Sequence, residues 1–297
     1  MKKVFLLPFL LGAFFVTAQQ ITVEEIYANY INAIGGKEKI TNIVNQKQHI
    51  AFYSSIKVSK GESNSFVNAA KKLMDNSQTV ENGNIAGLFG ITTREQDSLH
   101  LVKELIAFTD RANNEYASLS KSSEGNFTRL LNLNGNFYSV NEDGIKNRYS
   151  SSFNPFKDDF FPEAAIRAGR EVMSNEIYKG EEVYVVKYEA ERATPTIKKN
   201  DVYEYFSTAT GLKVASKQIT EIEIKTHKSI TTTITEYEDY KEADGILIPH
   251  KTIFYNKEGK RQLEHIILNI QFNIDPEDFK QNCFQNPEAC FEEYKRN

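Results

Sequence analysis

Tryptophan is absent from the 297 residues, cysteine occurs only twice and histidine only five times. The five histidines, His49, His100, His227, His250 and His265, contain no pair at a metal-ligand spacing such as HExxH, which excludes the usual zinc hydrolases. No G-x-S-x-G elbow and no Gly-rich nucleotide loop after a strand occurs, so neither serine nor nucleotide chemistry has a foothold. GGKEK at 35–39 lacks the spacing of a phosphate loop and follows a helical pattern instead of a strand. Internal repeats, low-complexity tracts and linkers are missing, which leaves one domain. Beyond the first residues no stretch is apolar enough to span a bilayer.

The N-terminus supplies the one apolar run. Lys2 and Lys3 precede Val4 to Val16, and small residues follow at Thr17 and Ala18, the pattern of a secretory signal peptide covering 1–18 and cleaved near Ala18. The alternative is a leader kept as a membrane anchor. No cysteine lies near that point to carry a lipid. Without Lys2 and Lys3, the 36 basic residues become 34 against 40 acidic ones, a net charge of −6 with His neutral. That sign disfavours nucleic acid as a partner. A periplasmic destination is oxidising, so Cys283 and Cys290 are expected to form a disulfide stapling the tail, the alternative being two buried thiols.

In TVEEIYANYINAI (22–34), Ile26, Tyr27, Tyr30, Ile31 and Ile34 fall on one face of a helix, which Thr22 and Glu25 open as a capping box and Gly35-Gly36 close. Residues 43–60 read as a first strand pair. Between 61 and 126 the segments SFVNAAKKLMDN and REQDSLHLVKELIAFTDRANNEYASL have helical spacing, with Leu99, Val102, Leu105, Ile106 and Phe108 as the apolar face, and NGNIAGLFGITT reads as a loop. A helical insertion is the expectation there. Asn134-Gly135 and Asp143-Gly144 mark hairpins, and SSFNPFKDDFFPEAAIRAGREVM reads as an aromatic loop leading into a helix, serving as a gate or a core anchor.

From 177 to 274 strands alternate with turns at Thr210-Gly211, Asp244-Gly245 and Glu258-Gly259, which predicts an antiparallel meander. Within it, Tyr184, Val186 and Tyr188 share one face of a strand, and Tyr203 and Tyr205 oppose Val202, Glu204 and Phe206. Ile266, Leu268, Ile270, Phe272 and Ile274 form an apolar stripe roughly 27 Å long. Such a stripe lines either a packed core or a hollow wall. His250 and His265 fall on strands expected to be neighbours, and Asp158, Asp159, Glu221 and Glu223 are available carboxylates whose plainer role is on solvated faces.

TVEEIYANYINAIGGKEKITNI, DVYEYFSTATGLKVASK, and YEDYKEADGILIPHKTIFYNKEG followed by FNIDPEDF together resemble the outer-membrane lipoprotein-sorting proteins of the LolA/LppX type, in the form common in Bacteroidetes. The resemblance covers 22–60 and about 177–280. It implies an α+β, mainly β fold: a strongly curved antiparallel sheet, or unclosed β-barrel, with helices covering its concave face. It further implies a carrier without catalytic residues or cofactor, with lipid or lipoprotein acyl chains, and possible envelope membrane proteins, as partners. The lining residues expected from the strand patterns are Tyr184, Val186, Tyr188, Tyr203, Tyr205, Ile266, Leu268, Ile270 and Phe272. The rival expectation is an envelope interaction module with a packed core.

Overall fold

A computed structural model describes residues 21–57, 94–113, 115–133, 136–140, 146–149, 169–190, 192, 194–224, 227–275, 283 and 286–295. Helix α1 (Val23–Ala33) begins at the expected capping box, in which the Glu25 amide donates to Thr22 Oγ1 at 3.2 Å and the Thr22 amide to Glu25 Oε2 at 2.8 Å. It buries Ile26, Tyr27 and Tyr30. Gly35 then turns the chain into α2 (Lys37–Thr41) with φ of 126°, and a Cβ there would stand 2.4 Å from the Gly245 carbonyl oxygen. Only glycine allows that approach.

The strands are β1 (Asn45–Lys57), β2 (Arg94–Asp110), β3 (Glu115–Ser122), β4 (Phe127–Leu133), β5 (Asn136–Val140), β6 (Lys146–Tyr149), β7 (Glu171–Val172), β8 (Glu176–Tyr178), β9 (Glu181–Glu189), β10 (Ile197–Ser207), β11 (Lys213–Ile224), β12 (His227–Ala243), β13 (Ile246–Tyr255) and β14 (Arg261–Phe272). They form one 14-stranded sheet in the order β6-β5-β4-β3-β2-β1-β14-β13-β12-β11-β10-β9-β7, with β8 also on β9, and every pairing is antiparallel. The path does not close on itself. A third helix, α3 (Pro287–Lys295), ends the described chain.

Two expectations are corrected. Residues 45–57 form one long strand instead of a pair, and 94–110 with 115–122 are strands, not a helical insertion. The helical spacing of Leu105, Ile106 and Phe108 misled because β2 lies between β1 and β3 with apolar residues inward on both faces. A strand with apolar residues on both faces gives a continuous apolar run with no period-2 signature. Residues 61–93 and 150–168, which include the other helical segment, the Gly-rich loop and most of the aromatic loop, lie outside the described residues. The meander from β9 to β14 is as expected. Its β12–β13 turn places Asp244 and Gly245 at φ of 50° and 76°, the left-handed pair a two-residue hairpin needs.

The first helix shows which way the sheet bends. One buried cluster joins Ile26, Tyr27, Tyr30 and Ile34 of α1 to Val186 of β9, Phe206 of β10, Ile246 and Ile248 of β13, and Ile270 and Phe272 of β14. In a flat sheet the five spacings from β9 to β14 would span about 24 Å, whereas an 11-residue helix is about 16 Å long and about 10 Å wide. With Ile40 of α2 and Ile43 completing the same cluster, the strands wrap around the helical segment, and the face that it touches is concave. On the opposite face, α3 and the Cys283–Cys290 disulfide pack with Ile106, Phe108, Leu119 and Leu131.

Candidate ligand-binding wall on the concave face

Strand register decides which of the predicted lining residues meet. Val186 pairs with Glu204 and Tyr184 with Phe206, so Tyr184, Val186 and Tyr188 share the concave face with Val202, Glu204 and Phe206. Tyr203 and Tyr205 lie on the convex face. Tyr205 packs there with Val183, Val185 and Ala215, its ring centroid 5.3 Å from that of Tyr178, while Lys187 and Lys217 flank the Tyr203 ring at 5.9 and 5.8 Å.

The stripe on β14 is also divided. His49 pairs with Asn269 and the next residue, Ile50, with Ile267, so Leu268 is the extra residue of a bulge. A bulge reverses the alternation beyond it. Ile270 and Phe272 thus face α1, Ile266 points to the convex side, and Leu268 is 49% exposed. Ile274, beyond Asn273 at φ of 52°, packs with the disulfide cluster on the convex side. Of the nine expected residues the concave face collects five: Tyr184, Val186, Tyr188, Ile270 and Phe272.

Beneath α1 the concave face carries a buried polar knot that pattern reading did not single out. Glu204 accepts from Lys213 Nζ at 2.7 Å, from Arg170 Nη1 at 2.8 Å and from the Tyr27 hydroxyl. The Arg170 guanidinium also donates to the Tyr27 hydroxyl and lies over the Tyr188 ring at 3.8 Å. Burial works to raise the Glu204 carboxyl, but the charge of Lys213 and its bond, with the Tyr27 bond and the Arg170 charge, outweigh it and hold the carboxyl below its ordinary range. Burial first, then the Glu204 charge, pushes the Tyr27 hydroxyl up. Tyr27 therefore stays protonated and pins α1 to the sheet. Beside this knot, Ile26, Asn29, Tyr184, Phe206 and the β10–β11 turn line a cleft of about 330 Å³.

Farther along the same face the surroundings change. Phe254 of β13, His265 of β14 and Phe52 of β1 form a row across three adjacent strands, with ring centroids 4.7 and 4.3 Å apart, and Lys103 of β2 places its Nζ 4.7 Å from the Phe52 ring centroid. Half-buried Ile50, Leu105 and Ile267 continue this wall, and Leu263 is 39% exposed. Burial, aided by the Lys103 charge, pushes His265 down to about 4, so its imidazole is neutral at physiological pH. Phe52 and Phe254 were missed because each needs its cross-strand neighbours to reveal its face. The only signal in the sequence was period-2 alternation within short segments.

His250 and His265 do occupy neighbouring strands, but His250 Nδ1 lies 3.0 Å from the Ile267 carbonyl oxygen and His265 sits between phenylalanine rings. Among the described residues no group of three or more His, Cys, Asp or Glu is arranged to hold a metal. Glu221 and Glu223 lie on β11, with Lys228 Nζ 3.9 Å from Glu223, while Asp158 and Asp159 lie outside the described residues.

No family model and no curated protein matches the sequence. Three solved structures are similar to the chain. A LolA superfamily protein from Nitrosomonas europaea has a TM-score of 0.48 at 9% identity, covering 87% of this chain and 97% of that one. A DUF1329 family protein from Desulfovibrio piger has a TM-score of 0.46 at 8% identity, covering 90% and 98%. A candidate outer membrane lipoprotein-sorting protein domain from Vibrio parahaemolyticus has a TM-score of 0.45 at 11% identity, covering 89% and 96%. All three TM-scores are below 0.5, so what this chain binds rests on its own side chains.

Proposed function

We propose that this chain is a periplasmic carrier that holds the acyl chains of a lipid or lipoprotein non-covalently against its concave face. The observation that carries the reading is the wall of half-buried apolar side chains formed by Ile50, Phe52, Leu105, Phe254 and Ile267, with Leu263 at its margin. Each methylene transferred from water to such a surface contributes about 0.8 kcal/mol, so ten of them supply about 8 kcal/mol before the costs of binding. That suffices to keep a carried chain out of water without covalent chemistry, and no catalytic residue is assigned. The N-terminal leader supports the periplasmic placement. Among the described residues no helix is long and apolar enough to cross a membrane. The single hydrogen-bonded sheet supports treating 19–297 as one domain.

The second reading, an envelope interaction module with a filled interior, draws on the α1 end of the same face, where Val186 and Phe206 are fully enclosed. Mass spectrometry of organic extracts of the purified protein separates the two. Lipid recovered near one molecule per chain is expected for the carrier. Protein that yields none, and that also fails to take up an added acyl probe, would be the interaction module.

A further inference from the structure

On the concave face, Lys103 differs from the cations of the polar knot under α1. Lys213 and Arg170 share Glu204, and Lys251 meets Glu238 at 3.1 Å. Lys103 projects onto the concave wall opposite Phe52, its partner in the β1–β2 ladder, and no carboxylate among the described residues pairs with it. The adjacent carboxylate, Glu104, points to the other face, where it lies 2.9 Å from His49 Nε2. His265, on the same face one strand beyond Phe52, feels the Lys103 charge but is neutral and offers no counter-charge. Burial alone pushes the Lys103 ammonium below the usual lysine range. A half-buried cation without an anion is costly in the unliganded protein, and a ring face returns only part of that cost.

Resting on the carrier reading above, we propose that the bound lipid is an anionic amphiphile whose headgroup oxyanion, a carboxylate or a phosphate, is held by the Lys103 ammonium while its acyl chain lies along Phe52, Ile50 and Phe254. The charge and the apolar strip are adjacent on one face, as the two ends of such a molecule require. A neutral headgroup would leave the ammonium uncompensated, so charge, beyond chain length, sets selectivity. Charge-assisted hydrogen bonds are about twice as strong as neutral ones, and an anion-to-neutral preference on the order of tenfold is expected.

The test uses the full chain and two probes of equal length, cis-parinaric acid and the corresponding alcohol, titrated at pH 8. Tryptophan is absent, so the polyene is read without that emission. The expected result is acid binding about tenfold tighter than alcohol. Lys103→Met should bring the acid down to the alcohol's affinity and leave the alcohol unchanged, and Lys103→Arg should restore the preference. Displacement of the bound acid by oleic acid or by lysophosphatidic acid then shows which oxyanion is preferred, either result fitting the site.

Equal affinity of the wild-type chain for acid and alcohol overturns the Lys103 assignment and leaves the carrier reading standing. Binding of neither probe overturns both. Folding is followed by the thermal midpoint of the unliganded variant. A Lys103→Met midpoint at or above wild type is expected, whereas a clear fall would make the ammonium a structural partner and overturn the assignment.

Discussion

The two halves of the concave face treat charge in opposite ways. Under α1, Glu204 is buried together with two cations and a tyrosine hydroxyl, and the surrounding apolar side chains are fully enclosed. Around β13, β14, β1 and β2 the apolar side chains are half-buried, and the cation beside them, Lys103, has no carboxylate among the described residues. Polar groups at the first end satisfy one another and fix the helix to the sheet. At the second end the same face leaves its apolar side chains half-buried, with the Lys103 ammonium over the Phe52 ring. One continuous sheet thus contains an end where a satisfied polar knot fixes α1 and an end where apolar side chains stay half-buried beside a cation, a distinction that neither strand pattern nor composition draws.

The largest effect expected from breaking this contrast comes at the filled end. Glu204→Leu leaves Arg170 and Lys213 buried without their shared carboxylate, at a cost of about 3–5 kcal/mol. A fall in the urea midpoint reports it, and an unchanged midpoint would mean that the knot does not hold α1. Next in size is a pair of substitutions on β14. Ile270→Ala opens a cavity under α1 and is expected to cost about 2–4 kcal/mol, whereas Leu268→Ala, at the exposed bulge, stays within about 0.5 kcal/mol. Comparable losses at both positions would place Leu268 in the core and restore the unbroken stripe.

The pH dependence sharpens the comparison at the open end. His265 has a folded value of about 4 against an ordinary 6.5, so between these pH values the unfolded chain binds more protons than the folded one. Stability therefore falls as pH drops from about 6.5 toward 4, by at most about 3.5 kcal/mol for this group. Glu204 acts lower on the scale. Its depressed carboxyl stabilises the fold above the ordinary carboxylate range, and that contribution is lost as pH falls through the still lower folded value. His265→Phe should flatten the upper part of the profile in urea titrations at stepped pH and leave the Glu204 loss in place. His250, also lowered by burial and by Lys241, contributes in the same direction and is the control substitution.

Much of this architecture is legible in the sequence. Thr22 and Glu25 announced α1, glycines placed three turns of the β9–β14 meander, and the two cysteines form the expected bond. The candidate site was far less legible. Tyr205 and Tyr184 look equivalent on their own strands, yet the β9–β10 register sends them to opposite faces. The β14 stripe looked continuous until one unpaired residue, Leu268, reversed its alternation. Strand β2 carried a helix-like spacing because apolar side chains line both its faces.

By itself the sequence determined what is local: where helix α1 starts, where the chain reverses, and which strands must be antiparallel neighbours through short turns. Those choices depend on backbone preferences of a few consecutive residues. Only the tertiary structure decided which side chains face α1, where the bulge falls, and that Lys103 stands over the Phe52 ring while Glu104 turns away to His49. Faces and neighbours are set by hydrogen-bond register between strands far apart in the chain, and a shift of one residue exchanges them all.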